Sequence, residues 1–448
     1  MAFTRRDFLR RGTLFVAMGL TAPTFLTRTV EAMPEFGSSA AANSRKMLVV
    51  VQLGGGNDGL NTVVPFGDDA YYQVRPTLGV PRADVLRLTD TIGLHPSLAK
   101  LKDRHDAGQL AIVQGVGYPN PNRSHFRSME IWQTAIPDKV ASNGWIGHYL
   151  DAQCCGEGAP GVLPAANIGG QAPLALWNEH VLVPSIGSLS TFQFRTEDGE
   201  APDPATSQLE TFRRIYAQQT SERVYDEFVR KVGVDAVNTS ETLKRVARSY
   251  QTTVQYPRNG FGQGLQTIAQ IISGDLGSRV FYISTGGFDT HANQARTHAN
   301  LLTNVSDGLH AFMLDIERLG KLDEVMVMCF SEFGRRVREN GSGGTDHGTA
   351  APVLLLGGQV QRGLHGQQPS LADLDSGDLK YNVDFRAIYA GLVKDWLGGD
   401  PSKVVDPSIT PLSLIRTASV APTGLDPIAS QGTSRRDLIG GLLARAIA

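Results

Sequence analysis

"KMLVVVQLGGGNDGLNT", residues 46–62, decides the fold. Its first half is apolar without alternation, so no face of the segment is written for water. A strand of that kind is buried on both sides, as in a parallel sheet covered by helices. Its second half turns through three glycines into Asn57 and Asp58, which predicts a sharp polar loop at the strand's carboxyl end. The same wording returns in "LAIVQGVGYP" (110–119), "RVFYISTGGFD" (279–289), "EVMVMCFSEFG" (324–334) and "APVLLLGG" (351–358). Between several of these runs the apolar period changes to that of a helix. Residues 298–320 place Leu301, Val305, Leu309, Phe312 and Ile316 on one stripe, and 386–398 repeat the pattern. Strands alternating with helices predict an α/β fold, a mostly parallel central sheet with helices on both faces.

The surrounding chain fits that reading. Residues 205–273 carry helical patterns and few strand signals, and are expected to form an insertion, either a cap or a helical layer. The polar, Pro-containing stretch 196–207 borders it, and the tail 401–448 ends in a short amphipathic helix, "SRRDLIGGLLARAIA". The chain has 448 residues, of which 41% are hydrophobic and 19% charged, a globular balance long enough for one large domain or two ordinary ones. A net charge of −2 and the lack of a long basic tract argue against nucleic acid as a partner. The three cysteines, Cys154, Cys155 and Cys329, form no CxxC pattern, which excludes a cysteine knuckle and leaves them as packing residues.

The N-terminus reads as an address. "TRRDFLR" (4–10) precedes the weakly apolar "GTLFVAMGLTAPTFL", which matches a twin-arginine signal and is too short for a membrane span. Residues 1–32 are therefore expected to be a signal peptide, with the twin-arginine translocation machinery as a partner and a periplasmic or extracellular destination.

In open parallel sheets, ligands collect beyond the carboxyl ends of the strands. Four such ends here carry cation-binding residues: Asp58, flanked by Asn57 and Asn61; Asp289 with His291; Glu332; and Asp346 with His347 before the last long strand. Each alone also reads as turn polarity, or, for Glu332, as a partner of Arg335 or Arg336. Together they place repelling carboxylates at one sheet edge, which needs cations or arginines in compensation. A second group follows the 110–119 strand in "YPNPNRSHFRSMEIWQTA" (118–135). Ser124 stands at a loop-to-helix junction and reads either as an N-cap or as a nucleophile at a helix N-terminus. Arg123 and Arg127 flank it as candidate anion clamps, and His125 reads as a proton donor, a ligand or a core residue. His365 reads as a surface-turn residue before a ligand.

The order of these residues resembles the alkaline phosphatase-like superfamily, which includes sulfatases and cofactor-independent phosphoglycerate mutases. More narrowly, "LGGGNDGLNTVVP", "NRSHFRSMEIWQT", "GGFDTHANQ" and "SEFGRRVRENGSGGTDHG" resemble the exported domain-of-unknown-function 1501 family, across roughly 46–400. The resemblance implies one or two divalent metal ions (zinc, manganese, magnesium or calcium). Asp289, His291 and His347 would bind one, and Asp58, Glu332 and the Ser124 oxygen the other. It implies a hydrolase acting on phospho- or sulfoesters, with Ser124 as nucleophile and Arg123, Arg127 and Asn61 holding the non-bridging oxygens. The chain departs from the superfamily pattern where Glu332 replaces an Asp–His pair and where Asp346–His347 replaces a single His, which bears on the number of metals. The alternative is a non-catalytic exported metal-binding or assembly protein on the same fold.

Overall fold

The structure, a computed structural model, describes residues 46–154, 163–181, 183–189 and 242–416, with the separate positions 211, 214, 215 and 239. The expected signal segment, most of 205–241 and the expected C-terminal amphipathic helix lie outside the described residues.

Nine strands form the main sheet: β1 (Met47–Leu53), β2 (Leu110–Gly117), β3 (Ala165–Ile168), β4 (Ser185–Ile186), β5 (Val280–Thr285), β6 (Val325–Ser331), β7 (Ala351–Gly357), β8 (Gly363–His365) and β9 (Val383–Asp384). Their order is β8-β2-β7-β6-β1-β5-β3-β4, with β9 added beside β2. β1 lies in the middle, parallel to β5 and β6, with Val50 opposite Tyr282 on one side and Met328 on the other. Among the described strands of this sheet only β7 is reversed, running antiparallel to β6 and β2.

The helices are α1 (Gly59–Thr62), α2 (Asp69–Val74), α3 (Ala99–Asp106), α4 (His125–Thr134), α5 (Trp145–Cys154), α6 (Gly260–Ser273), α7 (Gln294–Arg318) and α8 (Phe385–Gly391). They cover both faces, and this explains the unalternating composition of β1. Leu48 and Val50 join one core with Trp132, Trp145 and Tyr389 from α4, α5 and α8. Val49 and Val51 join the other with Ile268 of α6 and Leu309 and Phe312 of α7. All four β1 side chains are fully buried, and each such burial contributes about 1.5–3 kcal/mol. Aromatic stacking fixes the first layer, with Trp132 4.9 Å from Phe330 and 4.4 Å from Phe385, and Trp145 4.2 Å from Tyr389.

Of the expected 205–273 insertion, 242–249 is helical and α6 is a core helix, laid on the sheet beside α7. Gly264 allows that contact, because a Cβ there would lie 2.5 Å from the Ile283 side chain. The buried Asp315 of α7 accepts hydrogen bonds from Tyr250, Thr252 and Tyr256, which ties the approach to α6 onto the same layer. Cys329 is buried in β6 and free, its thiol pushed up to about 12 by burial. No helix of the described residues is long and apolar enough to cross a membrane.

Candidate metal centre

The sheet directions gather the site. β1, β2, β5 and β6 all finish at one edge, and the reversed β7 begins there, so five loops meet over it. The β1 loop can pass beneath the β5 loop because of its glycines. Gly55 has φ +117°, and a Cβ there would sit 2.5 Å from the Asp289 nitrogen; Gly56 has φ +71°, and a Cβ would meet the Phe333 ring at 2.4 Å.

Arg335 binds these loops together. Its buried guanidinium donates to the carbonyls of Gly55 and Gly56, to Thr345 at 2.9 Å, to Phe288 at 3.0 Å and to the Asp289 carboxylate at 2.6 Å. Asp289 is thereby held at a fixed place. Burial alone would raise its carboxyl, but Arg335 outweighs that and holds it at about 2.

Three imidazoles surround Asp289, each anchored through Nδ1. His125 Nδ1 lies 2.8 Å from Glu332 Oε1, His291 Nδ1 lies 3.2 Å from Asp346 Oδ1, and His347 Nδ1 lies 2.8 Å from the Arg123 carbonyl. An acceptor at Nδ1 keeps the ring proton there and leaves a lone pair on Nε2. All three Nε2 atoms face Asp289: His291 at 3.0 Å and His347 at 3.1 Å from Oδ1, and His125 at 3.5 Å from Oδ2. The Nε2 atoms of His291 and His347 are themselves 3.0 Å apart. The Nε2 of His125 is buried without a hydrogen-bond partner. Lone pairs so placed repel unless a cation lies among them. A tetrahedral ion with bonds of about 2.0–2.1 Å has donor-to-donor edges of about 3.3 Å, and the separations above bracket that value. The residues therefore fit one divalent ion held by His125, His347 and Asp289, whose ligand atoms all lie within 4.8 Å of one another, with His291 adjoining it through its contacts to Asp289 and His347.

The remaining candidate residues have other partners. Asp58 is fully buried against the equally buried Arg75 at 2.6 Å, and also accepts from Gln294. Burial alone would raise its carboxyl, but Arg75 and His298 hold it below the usual range. Asn61 belongs to the same cluster, accepting from Arg75 and Tyr71, both at 2.7 Å. Glu332 is saturated by His125, the Gly55 nitrogen and the Ser331 hydroxyl, so it orients a ligand in place of being one. Asp346 does the same for His291, steadied by Asn340 at 3.1 Å. The expected second set of ligands is thus not brought to the ion site: an arginine supplies the compensation at Asp58, and hydrogen bonds supply it at Glu332.

The anion clamp also differs from expectation. Arg123 pairs with the buried Asp378 at 3.2 Å, and Arg127 turns along its helix to Glu130 and the Pro137 and Lys139 carbonyls. Ser124 stands at the N-cap of α4, exposed, with no capping bond from its hydroxyl. His365 sits on the edge strand β8, bonded to the Gln361 carbonyl. Arg75 lies in an unremarkable context, and only the need for compensating charge pointed to a residue of its kind; Arg335, read as a partner of Glu332, pairs with Asp289 instead.

A family model described as "Protein of unknown function (DUF1501)" matches residues 45–393. No curated protein matches the chain. Among solved structures, the chain is similar to the C-terminal periplasmic domain of EcEptC from Escherichia coli in complex with Zn, at 11% identity over 70% of this chain and 73% of that one, TM-score 0.31. It is similar to the PsFucS1 sulfatase from Pseudoalteromonas sp., at 14% identity over 79% and 70%, TM-score 0.33. A protein in the alkaline phosphatase superfamily from Vibrio parahaemolyticus gives 11% over 78% and 72%, TM-score 0.30. With the family model spanning all five loops of the centre, from the β1 loop to the start of β7, the chain belongs to the DUF1501 family.

Proposed function

We propose that the protein is an exported, metal-dependent hydrolase acting on esters, with phospho- and sulfoesters as the first classes to test. The observation that carries the reading is the convergence of three Nδ1-anchored imidazoles on one carboxylate. Bound there, a divalent ion supplies Lewis-acid polarisation of an ester oxygen. The chain's own residues prepare the place for it. Glu332, Asp346 and the Arg123 carbonyl keep the ring protons at Nδ1, which fixes tautomer and orientation as outer partners of metal-binding histidines do. Arg335 fixes Asp289, and the buried packing of Phe333, 4.9 Å from both His125 and His347, keeps those rings from rotating. Imidazole-rich donors favour zinc among common hydrolytic metals, with manganese the next candidate.

The test is elemental analysis of the mature protein beside His291→Ala and His125→Ala. We expect close to one equivalent of metal, lost in both variants. Two equivalents, or one that survives His125→Ala, would sink this centre. The metal-loaded protein should then hydrolyse a member of a phosphate, sulfate and carboxylic ester panel. Loss of turnover in Ser124→Ala identifies a covalent route, and retained turnover means that water attacks directly. Metal without turnover on any ester would favour the second reading, a non-catalytic metal-binding protein.

Export rests on Arg5 and Arg6 before a weakly apolar segment. Replacing both by lysine should retain the protein in the cytoplasm, and unaltered export in cell fractionation would refute the twin-arginine route.

A further inference from the structure

Beside the centre lies a cleft of about 460 Å³, walled by Gln52, Phe126, Met129, Glu130, Gln133 and Leu174 and reaching His125 and Asp289. Positions 126, 129, 130 and 133 lie on one face of α4, so a single helix forms much of the wall. Three of its features restrict what it receives.

No lysine or arginine lines it, and its glutamates are already paired, Glu130 with Arg127 and Glu332 with His125. A group bearing charge of either sign would find no counter-ion there beyond the centre itself. Phe126 is 92% exposed, an arrangement that leaves a flat apolar surface in water beside the ligand-bearing His125. The amides of Gln52 and Gln133 are fixed in one orientation. Gln52 Oε1 accepts from Gln133 Nε2 at 2.9 Å and from Tyr282, which uses that oxygen fully. The Gln52 nitrogen is then turned toward Gly54, where an added Cβ would lie 3.9 Å from it, and the Gln133 oxygen remains as an acceptor.

A hydrocarbon in this cleft would leave a donor and an acceptor dry, each at the full cost of its lost hydration. A pair of neighbouring hydroxyls matches them, one accepting from Gln52 and one donating to Gln133, while the C–H face of the same ring covers Phe126, Met129 and Leu174. Pockets that combine an apolar wall with a few placed polar groups select in this way. We propose that the cleft binds a neutral sugar ring. Combined with the hydrolase reading, on which this last step rests, the substrate is a sugar ester whose ester group lies at the ion and whose ring lies along α4.

The experiment is binding of the full chain to an array of neutral oligosaccharides, with octyl and phenyl probes alongside, in buffer with and without EDTA. We expect at least one neutral glycan to bind, at least tenfold more weakly in Phe126→Ala and in Gln133→Leu. Phe126 packs against little, so its removal tests the ring and not the fold. Glycan binding that persists in EDTA, in a protein found to hold no metal, supports the cleft assignment while the hydrolase reading falls. Metal at the centre with no neutral glycan bound overturns the cleft assignment alone. Binding unchanged in Phe126→Ala, or a response confined to octyl and phenyl probes, also overturns it.

Discussion

Asp58 and Asp289 are both aspartates placed after glycines at the end of a central strand, yet they have opposite tasks. Asp58 is inaccessible and neutralised by Arg75, which also donates to Asn61 and to the Arg336 and Val337 carbonyls. Asp289 turns Oδ1 toward His291 and His347 and Oδ2 toward His125. The distinction predicts contrasting variants. Asp58→Asn leaves Arg75 buried without a counter-charge and should cost about 3 kcal/mol of stability in urea denaturation, with metal content unchanged. Metal loss at unaltered stability would instead restore Asp58 as a ligand. Local sequence could not separate the two aspartates, because the deciding partner of each, Arg75 or Arg335, lies on another part of the chain.

At the level of elements, most of the architecture was legible. The unalternating apolar runs at 46–53, 110–117, 279–285, 324–331 and 351–357 are the five long strands of the sheet, since burial on both faces leaves no polar position to write. The helical stripe at 298–320 is α7, although the helix begins earlier, at Gln294. Its start carries no side-chain cap; the Ser342 and Gly343 carbonyls receive the Asn293 and Gln294 N–H groups, a tertiary solution that no local pattern encodes. The same limit applied at α4. Ser124 has the position of a capping residue but not the bond, so the capping reading does not describe its hydroxyl. The direction of β7 was also hidden, because an antiparallel strand with both faces covered has the composition of a parallel one. In the centre, the pairing of His125 with Glu332 joins residues from separate strand ends, and spacing along the chain says nothing of it.

For the whole molecule, the buried His298 couples acidity to stability. Its Nε2 lies 2.9 Å from Asn57 Oδ1, under the β1 loop, and burial lowers it from 6.5 to about 4 despite the nearby Asp58. The unfolded chain therefore binds a proton at this histidine between pH 6.5 and about 4 while the folded one does not. Its contribution is complete above pH 6.5 and is lost as pH falls toward 4, by about 3 kcal/mol at 1.36 kcal/mol per unit. Unfolding free energies measured across that range should fall less steeply in His298→Gln than in the wild type. Parallel curves for the two proteins would refute this assignment.

The reversal of β7 has a further consequence for how the centre is inherited. Because β6 and β7 are antiparallel neighbours, the chain between them leaves and re-enters the sheet at the same edge, and its two limbs bond each other, Gly334 to Thr349 and Arg336 to Asp346. That one excursion carries Glu332, Arg335, Asp346 and His347. Its two points of attachment to the sheet are adjacent, so insertions or deletions at its tip need not disturb the strands that carry it. Diversity in this chemistry can arise by changing a single hairpin, provided that Arg335 and the Ser342 and Gly343 carbonyls keep their hold on the Asp289 loop and the start of α7.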